Sequence, residues 1–255
     1  MTRFFIAAAA MAAAFSGSVA DAAQAPAIHN VVIVHGAFAD GSGWRQVSDR
    51  LTAQGYHVTI VQEPLTSLAD DVAATRRVIA LQDGPVLLVG HSYGGMVISD
   101  AGNDPKVKGL VYVAAFEPEA DESVASLASS RPDPWAPAGA VKATADGFLY
   151  LDPRLFGAAF AADVPAKEVE AMAASQVFAA SAAFTAKATA QAWKTKPSWA
   201  LVAADDRSIN PALERDMARR ANSHVREIAS SHAVYLSHPG DVAGLIVEAA
   251  KGAAQ

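Results

Sequence analysis

Gly90-His91-Ser92-Tyr93-Gly94 sets a serine between two glycines in the G-x-S-x-G spacing. A continuous apolar run over 86–89 precedes it and a helical pattern over 94–101 follows it, so Ser92 is predicted on a tight strand-to-helix turn with its hydroxyl exposed. Glycine is needed on both sides because such a turn leaves no room for side chains there and strains the residue between. A serine hydroxyl is scarcely ionised at neutral pH. It therefore needs a base to take its proton and donors to hold the oxyanion that its attack creates. His232 meets the requirement for the base, because it follows the last predicted strand and precedes the final helix, in the chain order Ser, acid, His. His224 opens that strand and His238 stands beside Pro239 at the helix entrance, and both are disfavoured on position. Asp205 and Asp206 follow the preceding strand, and either can orient an imidazole and stabilise its charged form; spacing alone does not choose between them. The turn His35-Gly36-Ala37-Phe38 ends the first strand on the same side of the sheet, so the amides of Ala37 and Tyr93 are the predicted oxyanion donors. His35 is expected to pack beneath that turn and His91 to support the elbow, neither entering the chemistry. Arg207 reads as a surface or salt-bridging residue. Such a set transfers an acyl group through serine and requires no cofactor and no metal.

The elements that must position these residues follow a repeating pattern. Short β-branched runs at 31–34, 57–61, 86–90, 108–113, 199–203 and 225–228 alternate with amphipathic segments at 44–54, 68–82, 94–102, 211–221 and 240–251. That alternation predicts an α/β fold, a six-stranded, mostly parallel sheet flanked by helices. It breaks off after Ala115 and resumes near Ser198, an interval of about 80 residues, too long for a loop. Residues 117–197 are therefore read as an inserted, mostly helical cap, with helices at 166–176 and 181–193, and residues 24–116 and 198–255 as the core. Phe148, Tyr150, Phe156, Phe160, Phe178, Phe184 and Trp193 argue against a disordered linker, which would be poor in aromatics. Most of them are expected to form the core of the cap itself.

The N-terminus reads differently. Arg3 precedes an uncharged apolar stretch at 4–15 and the small residues Ser16-Gly17-Ser18-Val19-Ala20, the pattern of a signal peptide over 1–23 with cleavage after Ala20, Ala22 or Ala23. A helix over 4–15 rises only about 18 Å, short of a hydrocarbon core of roughly 30 Å. The expectation is an exported protein, periplasmic or secreted, with no membrane insertion once the signal is removed. The absence of cysteine excludes disulfides, thiolate nucleophiles and Cys-ligated metals. A net charge of −6 over 255 residues gives no electrostatic reason to bind nucleic acid.

The run His35-Gly36-Ala37-Phe38-Ala39-Asp40-Gly41-Ser42-Gly43-Trp44, the elbow Gly90-His91-Ser92-Tyr93-Gly94-Gly95, and Ser231-His232-Ala233 together resemble the α/β-hydrolase superfamily over nearly the whole chain beyond the signal. The resemblance is narrower still to serine esterases of the plant methyl esterase and hydroxynitrile lyase branch and its bacterial relatives. It implies that the acid is the fourth residue of a G-x-x-D-like turn, which here is Ala203-Ala204-Asp205-Asp206 and points to Asp206, with Ala203 where glycine is commoner. Little chain precedes Val31, so the two leading strands of larger members are expected to be absent. Lyases of this group carry threonine and lysine where this chain has Gly36 and Ala233, and dehalogenases and epoxide hydrolases of the fold carry aspartate at the elbow; the implied activity is ester hydrolysis. The resulting expectation is a serine hydrolase of small to medium carboxylic esters working through Ser92, Asp206 and His232, with Phe38 and Tyr93 nearest the substrate. An acyltransferase or perhydrolase on the same scaffold, or a non-catalytic small-molecule-binding protein, is the alternative.

Overall fold

Asn30-Val31-Val32-Ile33-Val34 is buried at every position, as a strand must be when helices cover both faces of its sheet. The computed structural model describes Met1 and residues 27–254, so the predicted signal segment lies almost wholly outside the described residues. In chain order the first half comprises β1 (Asn30–Val34), α1 (Arg45–Thr52), β2 (His57–Val61), α2 (Leu68–Ala80), β3 (Val86–Ser92), α3 (Gly94–Ala101) and β4 (Val107–Ala115). The inserted segment adds α4 (Val124–Ser130), β5 (Val141–Ala143), β6 (Phe148–Leu151), α5 (Phe156–Phe160), α6 (Ala166–Ser175), β7 (Ala179–Ala180) and α7 (Ser181–Thr185). The second half of the core closes with β8 (Ser198–Ala203), α8 (Pro211–Arg220), β9 (His224–Ile228), α9 (Val234–Ser237) and α10 (Pro239–Gly252).

Six strands form one sheet in the order β2-β1-β3-β4-β8-β9, and every pairing is parallel. Parallel pairing aligns the C-terminal ends of β1, β3, β8 and β9, which carry the turns holding Ala37, Ser92, Asp206 and His232 to one edge. At that edge the β3–β4 register slips between His91 and Ser92, and Ala114 opposite adopts φ +43°. The Phe116 N–H donates to the Ser92 carbonyl at 3.1 Å, which pins the end of β3.

The inserted segment holds the helices expected there and, in addition, a three-stranded antiparallel sheet in the order β5-β6-β7. Asp146-Gly147, with Gly147 at φ +89°, turns β5 into β6. The helix expected over 181–193 stops at Thr185. Beyond it the chain runs to α3, where the buried Asp100 carboxylate accepts from the Thr189 and Ala190 amides and the Thr189 hydroxyl. That anchor outweighs the local helical preference. Among the described residues no helix is long and apolar enough to cross a membrane.

Glu117, just past β4, is buried with its carboxyl on the Ser223 hydroxyl at 2.7 Å. Burial pushes its pKa up to about 8 against the opposing pull of Ser223 and Arg220. The folded chain therefore keeps a proton that the unfolded chain releases near 4.5, and stability is lost as pH rises from there through about 8. Glu117→Gln should remove this dependence, raising stability by roughly 5 kcal/mol at pH 9 and little at pH 4, as read by denaturant unfolding at the two pH values.

Candidate active site

Ser92 sits at φ +53°, the strained conformation expected between β3 and α3. Space explains the glycines: a Cβ on Gly94 would lie 2.6 Å from the Val34 carbonyl oxygen, and one on Gly36 would lie 2.8 Å from the Ser92 Cβ. These contacts bring the elbow and the first turn together. The amides of Ala37 and Tyr93 donate to no other group among the described residues, and both residues line the cavity that Ser92 lines. The first turn of α3 adds its positive end to the same place.

His35 lies beneath the first turn. Its Nδ1 donates to the Gly36 carbonyl at 2.8 Å and its Nε2 accepts from the Glu63 amide at 3.2 Å. Burial lowers its pKa, which suits this neutral tautomer. Tyr93 is fixed from below. Its hydroxyl donates to Asp71 at 2.6 Å, and Asp71 also accepts from the Leu65 amide at 2.8 Å. Burial raises the pKa of Asp71, partly offset by these two donors, and burial together with the Asp71 charge drives that of Tyr93 well up.

Asp206 and His232 are both buried and meet at 2.5 Å, Oδ2 to Nδ1. The other Asp206 oxygen accepts from the amides of Ser208 at 2.6 Å and Ile209 at 2.9 Å. Asp205 is exposed and takes part through its backbone, its amide donating to the Ser230 carbonyl at 3.0 Å. His232 Nε2 is buried without a hydrogen-bond partner, and His232 lines the same cavity as Ser92. His91 lies against His232, ring centroids 4.6 Å apart, and its Nε2 donates to the His232 carbonyl at 3.0 Å. Burial and the neighbouring His232 hold His91 well below the ordinary imidazole range, so it is a neutral prop. Behind Asp206, Glu214 accepts from the Ala203 amide at 3.3 Å. Burial and the Asp206 charge push its pKa well up, leaving one carboxylate charge beside the imidazole.

The inserted segment takes part in holding this arrangement. The Ala159 carbonyl accepts from the Ser208 hydroxyl at 2.8 Å and the Phe160 carbonyl from the Ala233 amide at 2.9 Å. The Asp163 carboxylate accepts from the Ser230 hydroxyl at 2.8 Å and from both the amide, at 3.1 Å, and the hydroxyl of Ser231. Burial opposes the charge on Asp163, but these donors prevail and lower its pKa.

The cavity measures about 400 Å³ and its wall is mostly apolar, with Phe116, Leu149, Phe160 and Phe184 around Ser92 and His232. Phe184 stacks on Tyr93 at 5.9 Å and tilts against Phe38 at 5.6 Å, so a cap aromatic covers both predicted oxyanion turns. Phe160 meets the His232 ring edge-on at 4.8 Å. From sequence, most cap aromatics are expected in the core of the cap and Arg207 at the surface or in a salt bridge; Phe160, Phe184 and Arg207 all line the cavity. Nothing in their local spacing marks them. The Asp163 contact likewise joins segments far apart in the chain and has no sequence signal.

This chain belongs to the alpha/beta hydrolase family, whose model matches residues 31–245. A curated relative, a carbendazim hydrolyzing esterase of Nocardioides sp. (strain SG-4G), is 34% identical over 114 residues, 38% of this chain and 46% of that one. The chain thus matches less than half the length of that relative. Among solved structures, a pyrethroid hydrolase superposes with TM-score 0.78 at 22% identity, covering 89% of this chain and all of the other. Polyneuridine aldehyde esterase superposes with TM-score 0.74 at 17% identity, covering 87% and 98%. At these identities the likeness is one of fold.

Proposed function

We propose that this protein is a serine esterase of small to medium carboxylic esters. The observation that carries the reading is one apolar cavity lined both by a serine at φ +53° and by a histidine whose Nδ1 is committed to Asp206 while its Nε2 has no partner. In this reading the Ser92 oxygen attacks the ester carbonyl as His232 Nε2 takes its proton. The amides of Ala37 and Tyr93 hold the oxyanion. Collapse breaks the bond to the alcohol oxygen, which leaves with the proton from His232. Water then repeats the sequence on the acyl-Ser92 ester and releases the acid. No step calls for a cofactor.

A volume of about 400 Å³ falls at the lower end of small-molecule sites and favours short acyl and alcohol groups over triglycerides. A curated relative bears the name carbendazim hydrolyzing esterase, which supports ester hydrolysis as the reaction. The test is a series of p-nitrophenyl esters of graded acyl length. Turnover that peaks at short to medium chains is expected, and faster hydrolysis of long-chain emulsions would overturn the size assignment. Export belongs to the same proposal. It rests on the segment at 1–23, and N-terminal sequencing of the purified protein should begin at Asp21, Ala23 or Gln24.

A further inference from the structure

Among the described residues lining the cavity, Arg207 carries the one fixed charge. It stands next to Asp206 in sequence, half-buried in a wall that is otherwise almost wholly apolar. Its Nη1 donates to the Trp135 carbonyl at 3.1 Å, on the Pro- and Ala-rich stretch that lines the cavity with Ala136, Pro137 and Ala140. The carboxylates nearest in sequence are otherwise engaged or turned away: Asp206 on His232 and two amides, Asp205 exposed, and no Asp or Glu of the described residues forms an ion pair with Arg207. By contrast Arg131, Arg215, Arg220 and Arg226 each pair with a carboxylate.

A guanidinium keeps its charge at any pH at which the protein is folded, and its planar fork offers five N–H donors. One is taken by a main-chain oxygen. A cation partly removed from water and left with spare donors favours an anion of matching shape, and a carboxylate fits the fork with two parallel hydrogen bonds. A net charge of −6 gives the chain no general attraction for anions, so recognition of one has to be local.

We propose that Arg207 is a specificity-determining residue that selects esters bearing a second, ionised carboxylate, the monoesters of short dicarboxylic acids. The proposal rests on the esterase reading for the chemistry, while the recognition it describes is a binding event that can be measured without turnover. The free carboxylate docks on the Arg207 fork as the ester carbonyl reaches Ser92 and the two oxyanion amides.

The probes are the monomethyl esters of malonate, succinate, glutarate and adipate, each beside its own dimethyl ester, titrated calorimetrically into Ser92→Ala protein. At least one monoester should bind about tenfold or more tightly than its diester, the effect of a charge-assisted hydrogen-bonded pair. Adding Arg207→Gln should abolish that ratio, and Arg207→Lys, which keeps the charge without the fork, should retain part of it. Equal binding of every monoester and diester would overturn the proposal. So would a preference that survives Arg207→Gln, or an equal loss for both ligands, which would make the residue a tether for the Trp135 stretch only. Turnover by the Ser92-containing protein separates the two readings: a monoester preference in binding with no hydrolysis of any ester sustains the role of Arg207 and removes the esterase assignment.

Discussion

Ser92→Ala should lower kcat for ester hydrolysis by about a millionfold, as removal of the nucleophile does in other serine triads, with substrate binding largely retained. Alanine can occupy the same φ +53° backbone and leaves the packing of this buried position almost unchanged, so loss of activity will not reflect loss of fold. The Ala37 and Tyr93 amides survive the substitution and should sustain the residual rate over uncatalysed hydrolysis. Two measurements decide the matter. Steady-state kinetics on a p-nitrophenyl ester give the drop in kcat, and intact-mass analysis of a quenched reaction should show an acyl adduct on the parent protein and none on the variant. Activity within tenfold of the parent would place the nucleophile elsewhere.

Asp206→Asn should cost about ten thousandfold in kcat. The reason lies in the donors around the carboxylate. One Asp206 oxygen accepts from the Ser208 and Ile209 amides, so the asparagine oxygen will stay on that side and its NH₂ will face His232 Nδ1. An NH₂ there donates, which forces the imidazole proton onto Nε2 and leaves no lone pair to accept from Ser92. KM should move little, because the side chain at 206 is not part of the cavity wall. Asp205→Asn is the matched control, since its side chain is exposed and its interaction with Ser230 is through the backbone; activity should stay within about twofold. Equal losses for the two variants would sink the assignment of the acid.

Most of the core was legible because its signals are local. The runs at 31–34 and 57–61 fall within the observed strands; β3 and β4 run past 90 and 113 to Ser92 and Ala115, where the register slips past His91, and β4 also starts one residue early, at Val107. The hairpin of β5 and β6 lies in a segment expected to be mostly helical; the Asp146-Gly147 pair, with Gly147 at φ +89°, is the local signal that could have marked it. Other features depend on contacts across the chain. Asp100 draws residues 189–190 out of a helical pattern, and the choice between Asp205 and Asp206 turns on which side chain faces the Ser208 and Ile209 amides. Arg207 has neighbours in sequence that suggest a salt bridge, and its place in the cavity wall, with a hydrogen bond to the Trp135 carbonyl, depends on a segment 72 residues away.

The brace formed by Ala159, Phe160 and Asp163 divides the insert into two kinds of sequence. Residues 124–151 and Phe184 meet the cavity without any hydrogen bond to the loops carrying Asp206 or His232, apart from the Arg207–Trp135 and Asn210–Pro132 contacts at its rim. They can diverge with Ser92, Asp206 and His232 undisturbed. Residues 159–163 are more constrained, because the Asp163 carboxylate and the backbone course that presents the Ala159 and Phe160 carbonyls hold the loops on which Asp206 and His232 stand. Transplanting the whole insert between relatives would remove this brace from the loops carrying Asp206 and His232, whereas a graft confined to 124–151 would leave the brace in place and alter the pocket wall together with the Trp135 and Pro132 contacts to Arg207 and Asn210.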